Sequence, residues 1–435
     1  MHSFYYRDGH LHCEDVDLTR VAGEFGTPTY VYSEATILDH YARLDAALAP
    51  LDHLICYAVK ANSNRAILNL LVQAGAGFDI VSGGELFRVL AAGGDSARCT
   101  FAGVGKSSEE IEYALQRGVY SFNVESEAEL DLIERIAREK KMRAPIALRV
   151  NPDVDPHTHQ YISTGSQENK FGIALDQVSA VYERAASLNN IEIVGVQMHI
   201  GSQITEDKPF ASAIEKVTPL VRDLKSKFAI KFFSIGGGMG IIYRRALESG
   251  SGKWWHNEGP ACSGSAFSVR DYANAIVPPL CDLGIRILVE PGRFLVGNAG
   301  VLLTRVRYLK HAGNKKFAIV DAGMNDLIRP ALYQSYHEIV PVEQMKSERK
   351  TGKIDVVGPV CESGDFFALD REMPELHEGD LLAIMSAGAY GFVMASTYNS
   401  RPLPAEALVR GDKFALIRRR QTSDDLVRGE VDTDW

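Results

Sequence analysis

The sequence has few of the features that mark secreted or metal-binding proteins. Its 435 residues include only six cysteines, and no two of them form a Cys-x-x-Cys pair. The cysteines are Cys13, Cys56, Cys99, Cys262, Cys281 and Cys361. Such scatter suits neither a zinc site nor a disulfide framework. We therefore expect no bound metal and reduced thiols, most of them buried.

The charge balance and the lack of long apolar runs exclude further classes. The net charge is −9, whereas binding to a phosphate backbone needs a basic face. No apolar stretch is long enough to span a bilayer. The first residues, 1–6, do not combine a basic segment with a following apolar segment, as a secretory signal would. We expect a cytoplasmic protein without nucleic-acid or membrane partners.

What the sequence does contain is a regular alternation of apolar runs and amphipathic helical segments. The apolar runs lie at 54–59, 78–81, 99–102, 120–124, 145–150, 192–199, 231–235 and 286–290. Eight strands alternating with helices over this length predict an α/β fold, a (β/α)8 TIM-type barrel. A doubly wound open sheet is the alternative, but no run is followed at once by Gly-x-Gly-x-x-Gly.

A second domain is predicted on either side of the barrel. After residue 293 the chain is β-rich, at 301–309, 316–320, 354–358, 381–385 and 413–419, with turn residues between these segments. This pattern predicts an all-β domain, a sandwich or a small barrel. The few strands of the N-terminal segment cannot fold alone, so we expect them to pair into it.

We therefore place a barrel domain at 34–292 and a β-domain at 1–33 plus 293–435. The first helix is predicted over 34–48, with Ser33 as its cap. Residues 244–268, which include Trp254 and Trp255, are predicted to form a long loop after the seventh strand.

Polar residues and glycines cluster where the predicted barrel strands end. In chain order they are Lys60, Asp79, His199, Ser202, Gly236, Gly237, Gly238, Glu290, Gly292 and Arg293. The carboxyl ends of all eight strands meet at one face of a barrel, and active sites form there. We therefore expect these residues to converge across one mouth.

Lys60 has two interpretations. It ends the apolar run 54–59, and a desolvated lysine exposes the neutral amine that forms a Schiff base. Alternatively, its stem could cover apolar surface while its ammonium reaches water.

Three other features fit an aromatic, phosphorylated cofactor. Gly236 to Gly238 expose bare backbone that can close around an anion, although they could form a simple flexible turn. His199 could stack on a ring or be structural. Glu290 could pair with a protonated ring nitrogen, or be a rim carboxylate paired with Arg293. Together with Lys60, these groups describe a site for pyridoxal 5′-phosphate.

The motifs also resemble those of a known family, the fold-type III, pyridoxal phosphate-dependent basic amino-acid decarboxylases. The motifs that carry the resemblance are YAVKAN at 57–62, HIGSQ at 199–203, GGG at 236–238, EPGR at 290–293, DAGMN at 321–325, RPALY at 329–333, CESGD at 361–365 and GAYG at 388–391. The resemblance runs from about Thr27 to Leu426.

The resemblance implies a role for each cofactor residue. Lys60 would form the Schiff base, His199 would stack on the ring, and Glu290 would keep the ring nitrogen protonated. The phosphate would be held by a further set, Ser202, Gly236, Gly237, Gly238, Gly292 and Arg293, with Tyr390 closing over it. Asp79 is also placed among the cofactor-binding residues.

The resemblance also implies a substrate site and a homodimer. Arg293, Arg329 and Tyr333, with Tyr390 near them, would hold the distal carboxylate of the substrate. Glu362 would accept the distal ammonium, and Cys361 is the candidate proton donor. In the family, Cys361 and Glu362 reach the site from the partner subunit. Taken singly, Cys361 could be a buried thiol, Arg329 a surface residue and Tyr390 a turn aromatic.

An arginine with a glutamate suits a substrate that has a second amino-acid head group. We therefore expect decarboxylation of meso-2,6-diaminopimelate to L-lysine and carbon dioxide, the last step of lysine biosynthesis. The alternatives are a decarboxylase of ornithine, lysine or arginine, a racemase on a similar barrel, and a non-catalytic homologue that regulates a true decarboxylase.

Overall fold

A computed structural model of the chain describes residues 2–154, 170–251, 267–344, 350–433 and 435. The chain divides into two compact units. The described residues of 38–241 and 263–295 form the first, which we call the barrel unit. Those of 1–37, 242–262 and 296–435 form the second, which we call the β unit. Trp254 and Trp255, in the predicted long loop, lie outside the described residues.

The barrel unit contains a closed ring of eight parallel strands. They are β1 His53–Ala58, β2 Gly77–Ile80, β3 Cys99–Phe101, β4 Ser121–Val124, β5 Ala144–Asn151, β6 Ile191–Met198, β7 Phe232–Ser234 and β8 Arg286–Val289. Each strand pairs with the next, and β8 pairs with β1 to close the ring. A two-residue strand, Ile173–Ala174, adds to β5. The predicted (β/α)8 fold is confirmed.

Helices alternate with these strands. They are Glu34–Leu48, Arg65–Gln73, Gly83–Ala91, Ser108–Arg117, Glu127–Glu139, Val178–Ala186, Lys208–Phe228, Val269–Leu280 and the short Arg293–Val296. Short 3-10 turns are found at Val59–Ala61, Ser96–Arg98 and Cys281–Leu283.

Serine caps set where several helices begin. Ser82, Ser107 and Ser126 each accept the backbone N–H three residues ahead, which satisfies an amide that the helix cannot pair. Ser33 does the same for Thr36, as predicted, at 3.0 Å. The caps thus fix where these helices begin after the preceding strands.

The β unit is organised around one long strand, Gly300–Ala312. It pairs with Thr29–Ser33, Lys315–Val320 and Leu381–Ile384, each antiparallel. The remaining strands of this nine-stranded sheet are Ile339–Pro341, Thr351–Val357, Phe366–Pro374, Ala405–Arg410 and Lys413–Arg418. Since Thr29–Ser33 also pairs with Ala405–Arg410, the N-terminal segment lies inside the sheet, as predicted.

Smaller elements complete the β unit. A three-stranded sheet is formed by Phe4–Arg7, His10–Cys13 and Val16–Asp17. The helices are Leu18–Phe25, Arg329–Tyr333 and Ser423–Val427, with 3-10 turns at Glu248–Gly250, Phe392–Met394 and Tyr398–Ser400.

Residues 242–251 group with the β unit, although the predicted domain boundary would assign them to the barrel. Ala246 is fully buried in the β-unit core. Its carbonyl accepts from His2 Nε2 at 2.7 Å, and the next N–H, of Leu247, donates to Glu338 at 2.8 Å. These contacts join segments far apart in the chain, so the sequence pattern does not indicate them.

Candidate active site

Lys60 lies in the 3-10 turn that directly follows β1. Its Nζ is 2.6 Å from Oδ2 of Asp79, which stands on β2 directly opposite Ala58. The lysine side chain is 40% exposed, whereas the aspartate is 1% exposed. The amine is thus held by an ion pair, and its side chain is not buried as one of the two interpretations from the sequence supposed. Among the described residues, Asp79 Oδ1 is buried and has no hydrogen-bond partner.

His199 follows β6 and presents a neutral ring. Its Nδ1 accepts the backbone N–H of Gly237 at 3.2 Å, so this nitrogen carries no proton. Burial, and then the charges of Arg149 and Lys60, hold the pKa of His199 well below its usual range. A neutral imidazole with its hydrogen on Nε2 is the form that these contacts favour.

Close backbone contacts require glycine in the turn after β7. A side chain on Gly236 would begin 2.5 Å from the carbonyl oxygen of Met198, and one on Gly237 would begin 2.3 Å from that of Glu290. Gly236 and Gly238 also have φ values of +73° and +113°, which favour glycine. The turn therefore presents only backbone at the mouth, as an anion cradle needs.

Glu290 follows β8 and is buried, with both carboxylate oxygens hydrogen-bonded. Ser234 donates to Oε1 at 2.6 Å, and Gln197 donates to Oε2 at 3.1 Å. Burial, followed by the charge of Asp79, raises the pKa of Glu290 to about 7. Glu290 is therefore a buried, hydrogen-bonded carboxyl group, and not the rim carboxylate of the alternative interpretation.

The prediction from sequence did not include Ser234 or Gln197. The only signal is their polarity inside apolar strands, at positions 234 and 197, where a buried side chain needs a partner.

Arg293, at the start of the short helix after β8, is only 4% exposed. Its Nη2 donates to Ser202 Oγ at 2.9 Å. A hydroxyl and a guanidinium thus meet beside Gly292, which is the donor pair that a phosphate would bind.

A second buried ion pair lies at the ends of β4 and β5. Arg149 donates to Glu125 at 2.8 Å, and both side chains are almost fully buried. The other carboxylate oxygen of Glu125 accepts the N–H of Gly172, and the Arg149 guanidinium lies 4.7 Å from the ring centre of Phe171. The ion pair holds Arg149 in place, and the charge of Arg149 contributes to the lowered pKa of His199.

These barrel residues fit pyridoxal 5′-phosphate by their donor set. A primary amine suits the aldehyde, and a flat neutral ring and a buried carboxyl group suit the pyridine. Bare backbone, a hydroxyl and a guanidinium suit the phosphate. The Oδ1 of Asp79, which has no hydrogen-bond partner among the described residues, could accept from a donor on the cofactor. Over the described ranges, no group of three or more His, Cys, Asp or Glu residues could bind a metal.

In the β unit, Arg329 is buried among aromatic and polar groups. It begins the short helix Arg329–Tyr333 and is 5% exposed. Its Nη2 donates to the hydroxyls of Tyr243 and Ser335, at 3.2 and 3.3 Å. The guanidinium also lies 5.7 Å from the ring centre of Tyr333. The structure thus brings Arg329 and Tyr333 together, and it adds Tyr243, which the sequence did not indicate.

Cys361 and Glu362 lie on an exposed turn. Asn399 Oδ1 accepts the N–H of Cys361 at 2.9 Å, which fixes the backbone of the turn. Tyr398 donates its hydroxyl to Glu362, and this bond to a carboxylate raises the pKa of Tyr398. Cys361 is therefore an exposed free thiol and not a buried one.

The turn that carries Tyr390 has a tightly constrained backbone. Tyr390 has a φ of +55°, which is uncommon for a bulky residue. A side chain on Gly391 would begin 2.4 Å from the carbonyl oxygen of Ala387. Tyr390 itself is only partly buried.

Comparison with known proteins identifies the family. Residues 34–297 match the family described as "Pyridoxal-dependent decarboxylase, pyridoxal binding domain". The diaminopimelate decarboxylase of Pseudomonas aeruginosa is 52% identical over 431 residues, which is 99% of each chain.

Two crystal structures with bound L-lysine are also similar. One, of diaminopimelate decarboxylase from Helicobacter pylori, has a TM-score of 0.86 and 40% identity, over 95% of this chain and 98% of that one. The other, of the enzyme from M. jannaschii, has a TM-score of 0.89 and 35% identity, over 99% and 98%. The chain therefore belongs to the pyridoxal-dependent decarboxylase family, within its group of diaminopimelate decarboxylases.

Proposed function

We propose that this chain is a pyridoxal phosphate-dependent enzyme that decarboxylates meso-2,6-diaminopimelate to L-lysine and carbon dioxide. One carbon–carbon bond breaks, carbon dioxide leaves, and the same carbon gains a proton. The observation that carries the proposal is the group at the barrel mouth, where Lys60 pairs with Asp79 at 2.6 Å and Glu290 is buried between two donors. When bound, the cofactor supplies the sink for the electron pair that carbon dioxide leaves behind.

The barrel residues bind and orient the cofactor. Lys60 would be its covalent attachment point, and Asp79, which pairs with the lysine amine at 2.6 Å, would position that amine. His199 would stack on the ring, and its neutral form would add no charge there. Glu290 provides the anion for the ring nitrogen. The phosphate would be bound by a larger set, Ser202, Gly236, Gly237, Gly238, Gly292 and Arg293.

The β-unit residues select the substrate. Arg329, preoriented by Tyr243 and Ser335, would bind the distal carboxylate together with Tyr333. A guanidinium can bind a carboxylate through two parallel hydrogen bonds. Tyr390 also contacts the substrate.

The exposed turn contains two functional groups. One recognises the distal end of the substrate, and the other protonates the reacting carbon. Glu362 accepts the distal ammonium, which would distinguish diaminopimelate from substrates with a bare amine at that end. Cys361 donates the proton to the reacting carbon. Both residues are exposed within one chain, and this supports their use in the active site of a second copy, as in a homodimer.

The free thiols among the described cysteines support a cytoplasmic location. Separately, over the described ranges, no helix is long and apolar enough to cross a membrane.

The direct test is to incubate the purified chain with pyridoxal phosphate and meso-diaminopimelate and to identify the products. We expect equal amounts of carbon dioxide and L-lysine. Ornithine, lysine and arginine serve as parallel substrates. Faster release of carbon dioxide from any of these would favour the related decarboxylases. Absence of release from all four would contradict the proposal.

A further inference from the structure

The buried carboxyl group of Glu290 faces two opposing demands. To serve as the anion for a ring nitrogen it must be ionised, whereas burial away from water favours its neutral form. The nearby charge of Asp79 opposes ionisation as well, and Lys60 favours it. The outcome depends on the groups that touch the carboxylate directly.

Ser234 is placed to donate to Glu290 and not to accept from it. Its Oγ lies 2.6 Å from Glu290 Oε1, and it also accepts the backbone N–H of Gly236 at 3.3 Å. The hydroxyl oxygen accepts that amide through a lone pair, so its hydrogen is available for the carboxylate, which can only accept when it is ionised. The backbone N–H of Glu290 in turn donates to the carbonyl of Gly236 at 2.8 Å, so the carboxylate and the glycine turn are tied together.

Gln197 donates the second hydrogen bond, to the other carboxylate oxygen of Glu290. Its Nε2 donates to Glu290 Oε2 at 3.1 Å, and the side chain is 1% exposed. Its own Oε1 is buried without a hydrogen-bond partner among the described residues. A glutamine that leaves one oxygen unpaired in the interior costs free energy, and its bond to Glu290 is the contact that explains its place on β6.

We propose that Ser234 and Gln197 are positioning residues that hold Glu290 ionised and in one orientation for the ring nitrogen of the cofactor. Each carboxylate oxygen receives one donor, so the plane of the carboxylate is fixed and its charge is stabilised before the cofactor binds. This inference rests on the role proposed above for Glu290, and it deepens that role.

The test follows the protonation of Glu290 in the cofactor-free protein by infrared difference spectroscopy across pH. The band of the protonated carboxyl group is assigned by its loss in Glu290→Gln. In Ser234→Ala we expect the midpoint of the Glu290 titration to move upward by about one to two pH units, because a hydrogen bond to a charged group is lost. Gln197→Met should move it in the same direction by less, since that bond is longer.

Two further variants separate this effect from general damage to the barrel. Ser121→Ala removes another fully buried strand serine, whose hydroxyl donates to the neutral amide of Asn123 at 3.1 Å, and should leave the midpoint unchanged. Ser234→Thr keeps the hydroxyl, so the midpoint of the Glu290 titration should match that of the unaltered chain. In the holoenzyme, Ser234→Ala should shift the pH dependence of cofactor absorbance and weaken cofactor binding about tenfold.

Two outcomes would overturn the inference. One is a midpoint in both Ser234→Ala and Gln197→Met that matches that of Ser121→Ala. The other is unchanged cofactor absorbance and affinity in Glu290→Gln, because Glu290 would then have no part in cofactor binding. Failure of the proposed function is a separate result, since it would appear as absence of carbon dioxide release by the unaltered chain.

Discussion

The two units present their functional residues in different ways. In the barrel unit, Glu290 and Asp79 are buried, and both are held by polar side chains from other barrel strands or strand ends. In the β unit, only Arg329 is buried, while Cys361 and Glu362 lie on an exposed turn. A cofactor that stays bound needs a fixed, preformed electrostatic environment, whereas a substrate must enter and leave. We therefore expect barrel variants to lose the cofactor and β-unit variants to lose selectivity.

The largest effect should come from Lys60→Ala. It removes the amine that binds the cofactor covalently and leaves the buried Asp79 without its cation. We expect carbon dioxide release to fall by about a thousandfold or more, with loss of the visible absorbance of the bound cofactor. Lys60→Arg is the control, because it keeps a cation beside Asp79 without that amine. Normal turnover by Lys60→Ala would remove the basis for assigning chemistry to the barrel mouth.

Arg329→Met should distinguish the roles of the two units most clearly. We expect kcat/KM for diaminopimelate to fall about a hundredfold, while cofactor absorbance and affinity stay unchanged. Arg371→Met is a matched control, since Arg371 also lies over a tyrosine ring, that of Tyr336 at 4.0 Å, but has no proposed contact with substrate. Loss of the cofactor from Arg329→Met would show that the division of roles is wrong.

Glu362→Asp should have a smaller effect, on preference more than on rate. The shorter side chain retracts the carboxylate from the distal ammonium, so we expect kcat/KM for diaminopimelate to fall about tenfold. Because the residue is exposed, the thermal midpoint should not change. The ratio of kcat/KM for diaminopimelate to that for ornithine is the measurement. An unchanged ratio would show that Glu362 does not determine the substrate preference.

The smallest expected effect is on stability. Its test compares one buried carboxyl group from each unit. Burial raises the pKa of Asp326, in the β unit, to about 7, as it does for Glu290. A carboxyl group with a raised pKa holds its proton more tightly in the folded state. The free energy of unfolding therefore falls as pH rises through the window from the unfolded pKa to about 7.

We expect Asp326→Asn and Glu290→Gln to weaken this pH dependence in the cofactor-free protein, by a few degrees in thermal midpoint between about pH 5 and 8. Asp39→Asn, at an exposed ion pair with Arg43, is the control. Identical pH profiles in all variants would mean that burial does not perturb these carboxyl groups.

The eight barrel strands and five later strands of the β unit were predictable because local patterns encode them, whereas Ile339–Pro341, Phe366–Pro374 and Ala405–Arg410 were not predicted. Eight apolar runs gave the eight barrel strands, and the β-rich segments after 293 gave strands of the β-unit sheet. Lys60 and Glu290 could be singled out because a charged residue at the end of an apolar strand is unusual, and barrel geometry gathers such ends at one face. The nature of their surroundings was less predictable. Lys60 is held by an ion pair and not by burial, and Cys361 proved to be exposed.

The sequence by itself therefore determined the fold class, the family and the set of candidate residues, since periodicity and motifs are local properties of the chain. Only the tertiary structure decided which groups touch them. Gln197 reaches Glu290 across 93 residues, and Tyr243 reaches Arg329 across 86. Such contacts depend on the register and packing of distant segments, which no local pattern contains. They are also the contacts that orient the reactive groups and set their charge.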